Sequence, residues 1–191
     1  MPVQFLSDAE HARLNRFPEE VETDDLDRYF WLCDDDREAM QSLRGAHNQL
    51  GFGLQIGCLR YLGFFPDELQ QIPTVVVDYV AAQLQLSAEV LMLYSQGSSQ
   101  QRQHQKQIQT LLGYRRATPL DLLSLEKWML SRALEHDKPL LLFQMACDWL
   151  KQNQLIRIGT TRLERRRSEE HTSELQSYKG TPKSKKPPAD T

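Results

Sequence analysis

The strongest chemical signal in the sequence is a basic, glutamine-rich stretch that contains no acids. Between residues 97 and 120 there is no aspartate or glutamate, and four cations give a net charge of +4. Basic side chains neutralise phosphates, while glutamine amides donate and accept hydrogen bonds at the same surfaces. This pattern favours nucleic acid as the ligand, with a solvated basic surface as the alternative. The candidate DNA-binding residues are Arg102, His104, Lys106, Arg115 and Arg116, with Arg60 as a weaker candidate on a helix predicted to be buried.

A second nucleic-acid signal is a helix-turn-helix pattern in residues 79–94. Ala81 precedes a turn at residues 85–87, and Ser87 caps a second helix in the place of a recognition helix. An ordinary helical hairpin explains this pattern at least as well, because the second helix carries Glu89 and no arginine that reads bases.

The acidic residues are concentrated elsewhere, and they do not predict catalysis. Residues 1–40 hold twelve acids against four arginines, a net charge of −8, in a chain whose overall charge is −3. Acids such as those at 34–36 fall in first turns of predicted helices, where the helix dipole favours them, so a solvated face explains them better than a two-metal centre. Phosphate-binding glycine loops, paired metal-ligand motifs and nucleophile elbows are missing from the sequence. We therefore expect no enzymatic activity and no cofactor.

The remaining composition indicates a globular protein of the cytoplasm. The chain has 191 residues, of which 40% are hydrophobic and 26% charged. The sequence predicts no membrane span, and its start lacks the basic and apolar regions of a signal peptide. Cys33, Cys58 and Cys147 are odd in number and set in apolar surroundings, so we predict reduced thiols in the core.

Hydrophobic spacing predicts an all-α fold of about seven to nine helices. Ser7 and Glu10 form a capping box that opens the first helix, over residues 7–17. The valine triplet at 75–77 permits a strand, but the spacing of Val76 and Val80 favours a helix. A second short helix is predicted to begin near residue 23. The remaining predicted helices cover residues 34–43, 47–62, 87–94, 98–112, 118–136 and 139–153, and an extended link covers residues 155–162.

The predicted organisation is one helical module followed by a tail. Residues 1–166 form the module, which divides into two subdomains near residues 96 and 97. Residues 167–191 are rich in Ser, Thr, Lys and Pro and are expected to be disordered. Residues 167–177, RSEEHTSELQS, also resemble one reading frame of a common sequencing adapter, which would make the tail non-native read-through.

Several motifs resemble the N-terminal region of Tn3-family replicative transposases. The longest is HNQLGFGLQIGCLRYLGFFP at 47–66, and shorter ones are LSDAE at 6–10, FPEE at 17–20, DLDRYF at 25–30 and LGY at 112–114. Arg102 and His104 belong to a further match. The resemblance implies a helical module that binds double-stranded DNA at the terminal inverted repeats of the transposon, with the rest of the transposase as a partner and a second subunit left open.

The resemblance also implies what this chain lacks. The Asp-Asp-Glu active site of the family, which holds divalent metal, lies far downstream, and no acid of this chain inherits that role. The rival interpretation is a protein-interaction module that contacts transposase subunits rather than DNA. The acidic first 40 residues favour it, because they repel DNA and suit a basic partner.

Overall fold

The computed structural model describes residues 17–18, 20–94, 99–133 and 138–157. Within them the regular secondary structure is helical apart from two strands of two residues each, which confirms the predicted all-α class. The capping box at Ser7, most of the first predicted helix and the tail lie outside the described residues. None of the described helices is both long and apolar enough to cross a membrane.

The helices follow the predicted order closely. They are α1 (Thr23–Asp25), α2 (Asp34–Gln41), α3 (Ala46–Leu62), α4 (Thr74–Leu84), α5 (Ser99–Leu112), α6 (Pro119–Ala133) and α7 (Pro139–Gln152). A π-helical turn at Leu26–Phe30 continues α1, and 3-10 helices cover Leu69–Gln71 and Ala88–Leu93. Strand β1 (Arg115–Arg116) pairs in parallel with β2 (Leu155–Ile156), with Arg115 opposite Leu155.

Helix α3 is the centre of the larger core. Residues 51–59 are all buried, because α2, α4, α5, the π-helical turn and the second 3-10 helix all pack against it. Two glycines allow this close approach: a Cβ on Gly51 would meet the Tyr94 ring at 2.5 Å, and one on Gly57 would overlap the Phe30 ring. The glycine-rich composition of α3 therefore serves helix packing, as the sequence indicates.

The valine triplet at 75–77 is helical, as its spacing favours. Val76, Val77, Val80 and Ala81 form the buried side of α4. Gln85 then takes a left-handed conformation with φ of 56°, and the Ser87 hydroxyl accepts a hydrogen bond from the Glu89 amide at 3.3 Å. The second element of the expected helix-turn-helix is only the six-residue 3-10 helix, so the hairpin interpretation fits this region better.

A smaller apolar cluster lies between α6, α7 and β2. Its buried members are Leu125, Ala146, Leu150 and Leu155. Ile108 of α5, in contrast, is buried in the larger cluster. The two apolar clusters therefore separate after α5, and the predicted division into subdomains near residue 96 stays a prediction. The predicted module boundary at residue 166 lies outside the described residues and stays a prediction.

Candidate nucleic-acid interface

Helix α5 has one buried face and one polar, basic face. Gln101, His104 and Ile108 are buried against the larger core. Arg102 and Lys106 are exposed and four residues apart, so they lie on neighbouring turns of the outward surface. The same outward surface carries the exposed residues Gln100, Gln103, Gln107 and Thr110. The helix therefore presents two cations and several amides to solvent.

The structure corrects the expectation that His104 contacts DNA. Its side chain is only 2% exposed, and the Phe52 ring meets it edge-on at a centroid distance of 5.4 Å. His104 Nδ1 lies 2.9 Å from the Tyr94 hydroxyl, which itself accepts a hydrogen bond from the Gln55 amide at 2.7 Å. Burial lowers the pKa of His104, which favours a neutral ring whose Nδ1 accepts a hydrogen bond from the Tyr94 hydroxyl. His104 therefore holds α5 on the core, and its burial argues against direct contact with a phosphate.

Arg115 and Arg116 are exposed on β1, but their surroundings differ. The Arg115 guanidinium donates to both carboxylate oxygens of Asp121, at 2.5 and 2.8 Å. Asp121 also accepts hydrogen bonds from the backbone amide and the hydroxyl of Thr118, at 2.7 and 2.6 Å. The Arg115 and Thr118 donors lower the pKa of Asp121, and the carboxylate in turn raises the pKa of Arg115. Arg116 forms no ion pair with a described residue, so it is the more available cation of the two.

The weaker candidate, Arg60, is part of the fold rather than of a binding surface. Its guanidinium donates to both oxygens of Asp36 at 2.9 Å, and to the Trp31 carbonyl at 3.2 Å. The Asp36 carboxylate is 1% exposed and also accepts the Cys33 amide at 3.0 Å. Arg60 therefore neutralises a buried acid and joins α3 to α2.

A cation that sequence reasoning missed stands beside α5. Arg44 lies in the loop between α2 and α3, and it is exposed at the edge of a groove of about 330 Å³. The other lining residues are Ser42, Leu43, Asn48, Gln100, Gln103, His104 and Gln107. Arg44 has no sequence motif around it that marks it as a site. Its position becomes visible only when α5 is folded against the start of α3.

The cysteines and acids offer no metal centre in the described part of the chain, where no group of three potential ligands comes together. Cys58 is fully buried, which raises the pKa of its thiol, and burial likewise raises the pKa of Cys147. Cys58 matches the predicted core thiol, whereas Cys147 is only partly buried. Cys33 is exposed, so for this residue the prediction is wrong.

The fold and the exposed basic face of α5 define an all-helical module. Comparison with known proteins shows which family this module belongs to. Residues 5–169 match the family described as Domain of unknown function (DUF4158). Because this match covers most of the chain, the protein belongs to that family. The chain also resembles Tn3-family transposases over most of its length, as its motifs predict.

Three transposases illustrate the similarity. The transposase for transposon gamma-delta of Escherichia coli strain K12 is 34% identical, over 88% of this chain and 17% of the relative. The transposase for transposon Tn501 of Pseudomonas aeruginosa is 31% identical, over 80% of this chain and 15% of the relative. The transposase for transposon Tn1546 of Enterococcus faecium is 29% identical, over 73% of this chain and 14% of the relative. The chain thus spans about a sixth of the length of these relatives.

Proposed function

We propose that this chain is a DNA-binding module of a Tn3-family transposase that recognises the terminal inverted repeats of its transposon. The observation that carries the proposal is the outward face of α5, where Arg102 and Lys106 are exposed within a stretch that has no acids. Arg116 adds a third exposed cation on β1. Relatives named as transposases support a role in DNA transposition.

The physical basis of this binding is release of counterions from the DNA backbone. Each basic side chain that neutralises a phosphate steepens the fall in affinity with salt, by about 0.9 in the logarithmic slope. Arg115 contributes less, because Asp121 already compensates its charge. The glutamines exposed beside the cations on α5 would contact sugars, phosphates or base edges.

The test compares the 191-residue chain with an Arg102→Ala, Lys106→Ala, Arg116→Ala triple variant. Labelled duplexes carry the terminal repeats of gamma-delta or Tn501, or a shuffled sequence of the same composition, and affinity is measured by fluorescence anisotropy over a range of salt. We expect tighter binding to a repeat than to the shuffled duplex. We also expect the logarithmic salt slope of the triple variant to be smaller by about 0.9 per lost contact. Unchanged affinity and salt slope in the variant would show that this surface does not bind DNA.

We further propose that this chain has no catalytic activity of its own, so divalent metal acts only in the part of the transposase that the chain does not include. Several of the described acids support this, since they lie in the first turn of a helix, as Asp34 and Asp35 do, or in an ion pair, as Asp36 does with Arg60. Incubation of the chain with a repeat duplex and Mg²⁺ or Mn²⁺ should leave both strands intact. Cleavage that requires the metal and the protein would contradict this proposal.

A protein-interaction module is the second candidate. It is favoured by Trp31, which is 56% exposed next to the exposed acids Asp34 and Asp35. An aromatic side chain among acids suits a basic protein surface, for example on the rest of the transposase or a second subunit. Binding to the remaining transposase polypeptide that Trp31→Ala abolishes, with no binding to any duplex, would favour this candidate over DNA recognition.

A further inference from the structure

The groove beside α5 is built from two separate parts of the chain. The end of the α2–α3 loop and the first turn of α3 form one wall, with Ser42, Leu43, Arg44 and Asn48. The other wall is α5, with His104 and the three glutamines at 100, 103 and 107. The glutamines also adjoin the exposed face that carries Lys106. The groove therefore lies along the edge of the exposed face of α5, with Gln103 three residues from Lys106 and so next to it on the helix surface.

The backbone that carries Arg44 is held in place by side chains of α3. The Asn48 amide donates to the Arg44 carbonyl at 2.7 Å, and the Gln49 amide donates to the Leu43 carbonyl at 3.4 Å. Gly45 follows with a φ of +91°, and a Cβ there would meet the His47 ring at 2.9 Å. The loop thus has a defined conformation that leaves the Arg44 side chain exposed at the rim of the groove.

The electrostatics of the groove suit an anion. Its lining contains one guanidinium, one hydroxyl and several amides, but no carboxylate. The first turn of α3 contains no acid and no side chain caps it, so the positive end of a 17-residue helix dipole adjoins Arg44. The acid nearest to this wall in the sequence is Glu38, which is exposed on α2, four residues before Ser42. These groups match the donors that usually contact the DNA backbone.

We propose that this groove binds the sugar-phosphate backbone of one DNA strand, with Arg44 on a phosphate and the glutamine amides on neighbouring phosphate or sugar oxygens. The inference rests on the proposed function and extends the DNA-binding surface from α5 to the start of α3. A volume of about 330 Å³ is at the small end of ligand pockets, so the groove would hold at most a short section of one strand.

The test replaces Arg44 and, as a matched control, Arg28 of the π-helical turn, which is also exposed. Arg28 lies beside the C-terminal end of α3, because the ring of its neighbour Tyr29 packs on Tyr61. Tyr61 is about 24 Å along α3 from Gly45. Arg44→Gln, Arg44→Lys and Arg28→Gln are each made in the 191-residue chain. Anisotropy is measured with a labelled mixed-sequence duplex over a range of salt, and far-UV circular dichroism with urea reports folding.

We expect Arg44→Gln to bind more weakly, with a logarithmic salt slope smaller by about 1. Arg44→Lys should keep the slope of the unchanged chain, and Arg28→Gln should keep both slope and affinity. The Arg44 variants should unfold at the urea concentration of the unchanged chain, because Arg44 is exposed. Arg28→Gln loses a cation–π contact with Tyr29 and should unfold at a slightly lower urea concentration.

Three results would overturn the inference, and they distinguish its failure from that of the proposed function. Arg44→Gln with unchanged affinity and slope, beside a weakened Arg102→Ala, Lys106→Ala variant, would reject the groove but retain α5. Equal losses of DNA affinity in Arg44→Gln and Arg28→Gln would show a general effect of charge rather than a binding site at the groove. If the unchanged chain binds no duplex, both proposals fail.

Discussion

Helices α3 and α5 pack against each other, and both carry basic side chains, yet the two helices treat charge differently. In α3 the only arginine, Arg60, is locked against the buried carboxylate of Asp36 by two hydrogen bonds of 2.9 Å. In α5 Arg102 and Lys106 are exposed and form no ion pair with a described residue. Arg60 and the two cations of α5 are all basic residues on helices in the sequence. Their positions in the fold decide that Arg60 stabilises the core while Arg102 and Lys106 remain available to a ligand.

The comparison predicts that removing the partner of the α3 arginine costs stability. Asp36→Ala leaves a partly buried guanidinium without its acid and also removes the acceptor of the Cys33 amide. We expect a loss of about 3 kcal/mol in the free energy of unfolding, the low end for a broken buried pair because Arg60 is partly exposed. Urea unfolding followed by circular dichroism measures this loss.

The control for Asp36 is its exposed neighbour Asp35, in the same first turn of α2. Asp35→Ala removes only a favourable interaction with the helix dipole, less than about 1 kcal/mol. If Asp36→Ala and Asp35→Ala lowered stability equally, the structural role of Arg60 would be disproved. Neither change should alter the salt slope of DNA binding, because both lie outside the proposed surface.

Close packing around α3 predicts the next largest effect. Gly57→Ala places a methyl group into the Phe30 ring, so the ring or the helix must move. We expect a loss of about 2 kcal/mol in the free energy of unfolding, as is typical of an overpacked core. Gly53→Ala is the matched control in the same helix, since its Cβ would lie 3.1 Å from a Val80 methyl. A Gly57→Ala protein as stable as Gly53→Ala would contradict this packing.

The packing of α5 on α3 through His104 predicts a smaller effect on stability, which depends on pH. Burial lowers the pKa of His104 below its ordinary value of 6.5, so the unfolded chain binds a proton at higher pH than the folded chain does. Stability from this residue is therefore complete above pH 6.5 and declines as pH falls from there towards the lowered pKa. His104→Gln, which cannot titrate, serves as the reference in urea unfolding at several pH values.

Wild-type protein should lose more stability on acidification than His104→Gln does. Parallel pH curves for the two proteins would show that His104 titrates as it does when unfolded, and would argue against its burial against Tyr94 and Phe52. Because the measurement compares two proteins at each pH, the carboxylates of the acidic region cancel.

Local sequence patterns predict most of the helices, because apolar spacing and end signals are themselves local. The choice of helix over strand for the valines of α4 followed from Val76 and Val80, which are both buried. The site was predicted less completely. Arg102, Lys106, Arg115 and Arg116 are exposed. The burial of His104 depends on Tyr94, on a different element, and on Phe52, which is distant in sequence, and no local pattern links these residues to His104. Arg44 likewise joins the site only through the packing of α3 on α5.

The most direct measurement of the central claim is protection of lysine by DNA. Lys106 on the outward face of α5 and Lys127 on α6 are both exposed, so a brief treatment with an acetylating reagent should modify both in the free protein. With a saturating repeat duplex, we predict that acetylation of Lys106, measured by mass spectrometry, falls strongly while that of Lys127 is unchanged. Equal reactivity of Lys106 with and without bound DNA would contradict the assignment of α5 as the DNA-binding surface.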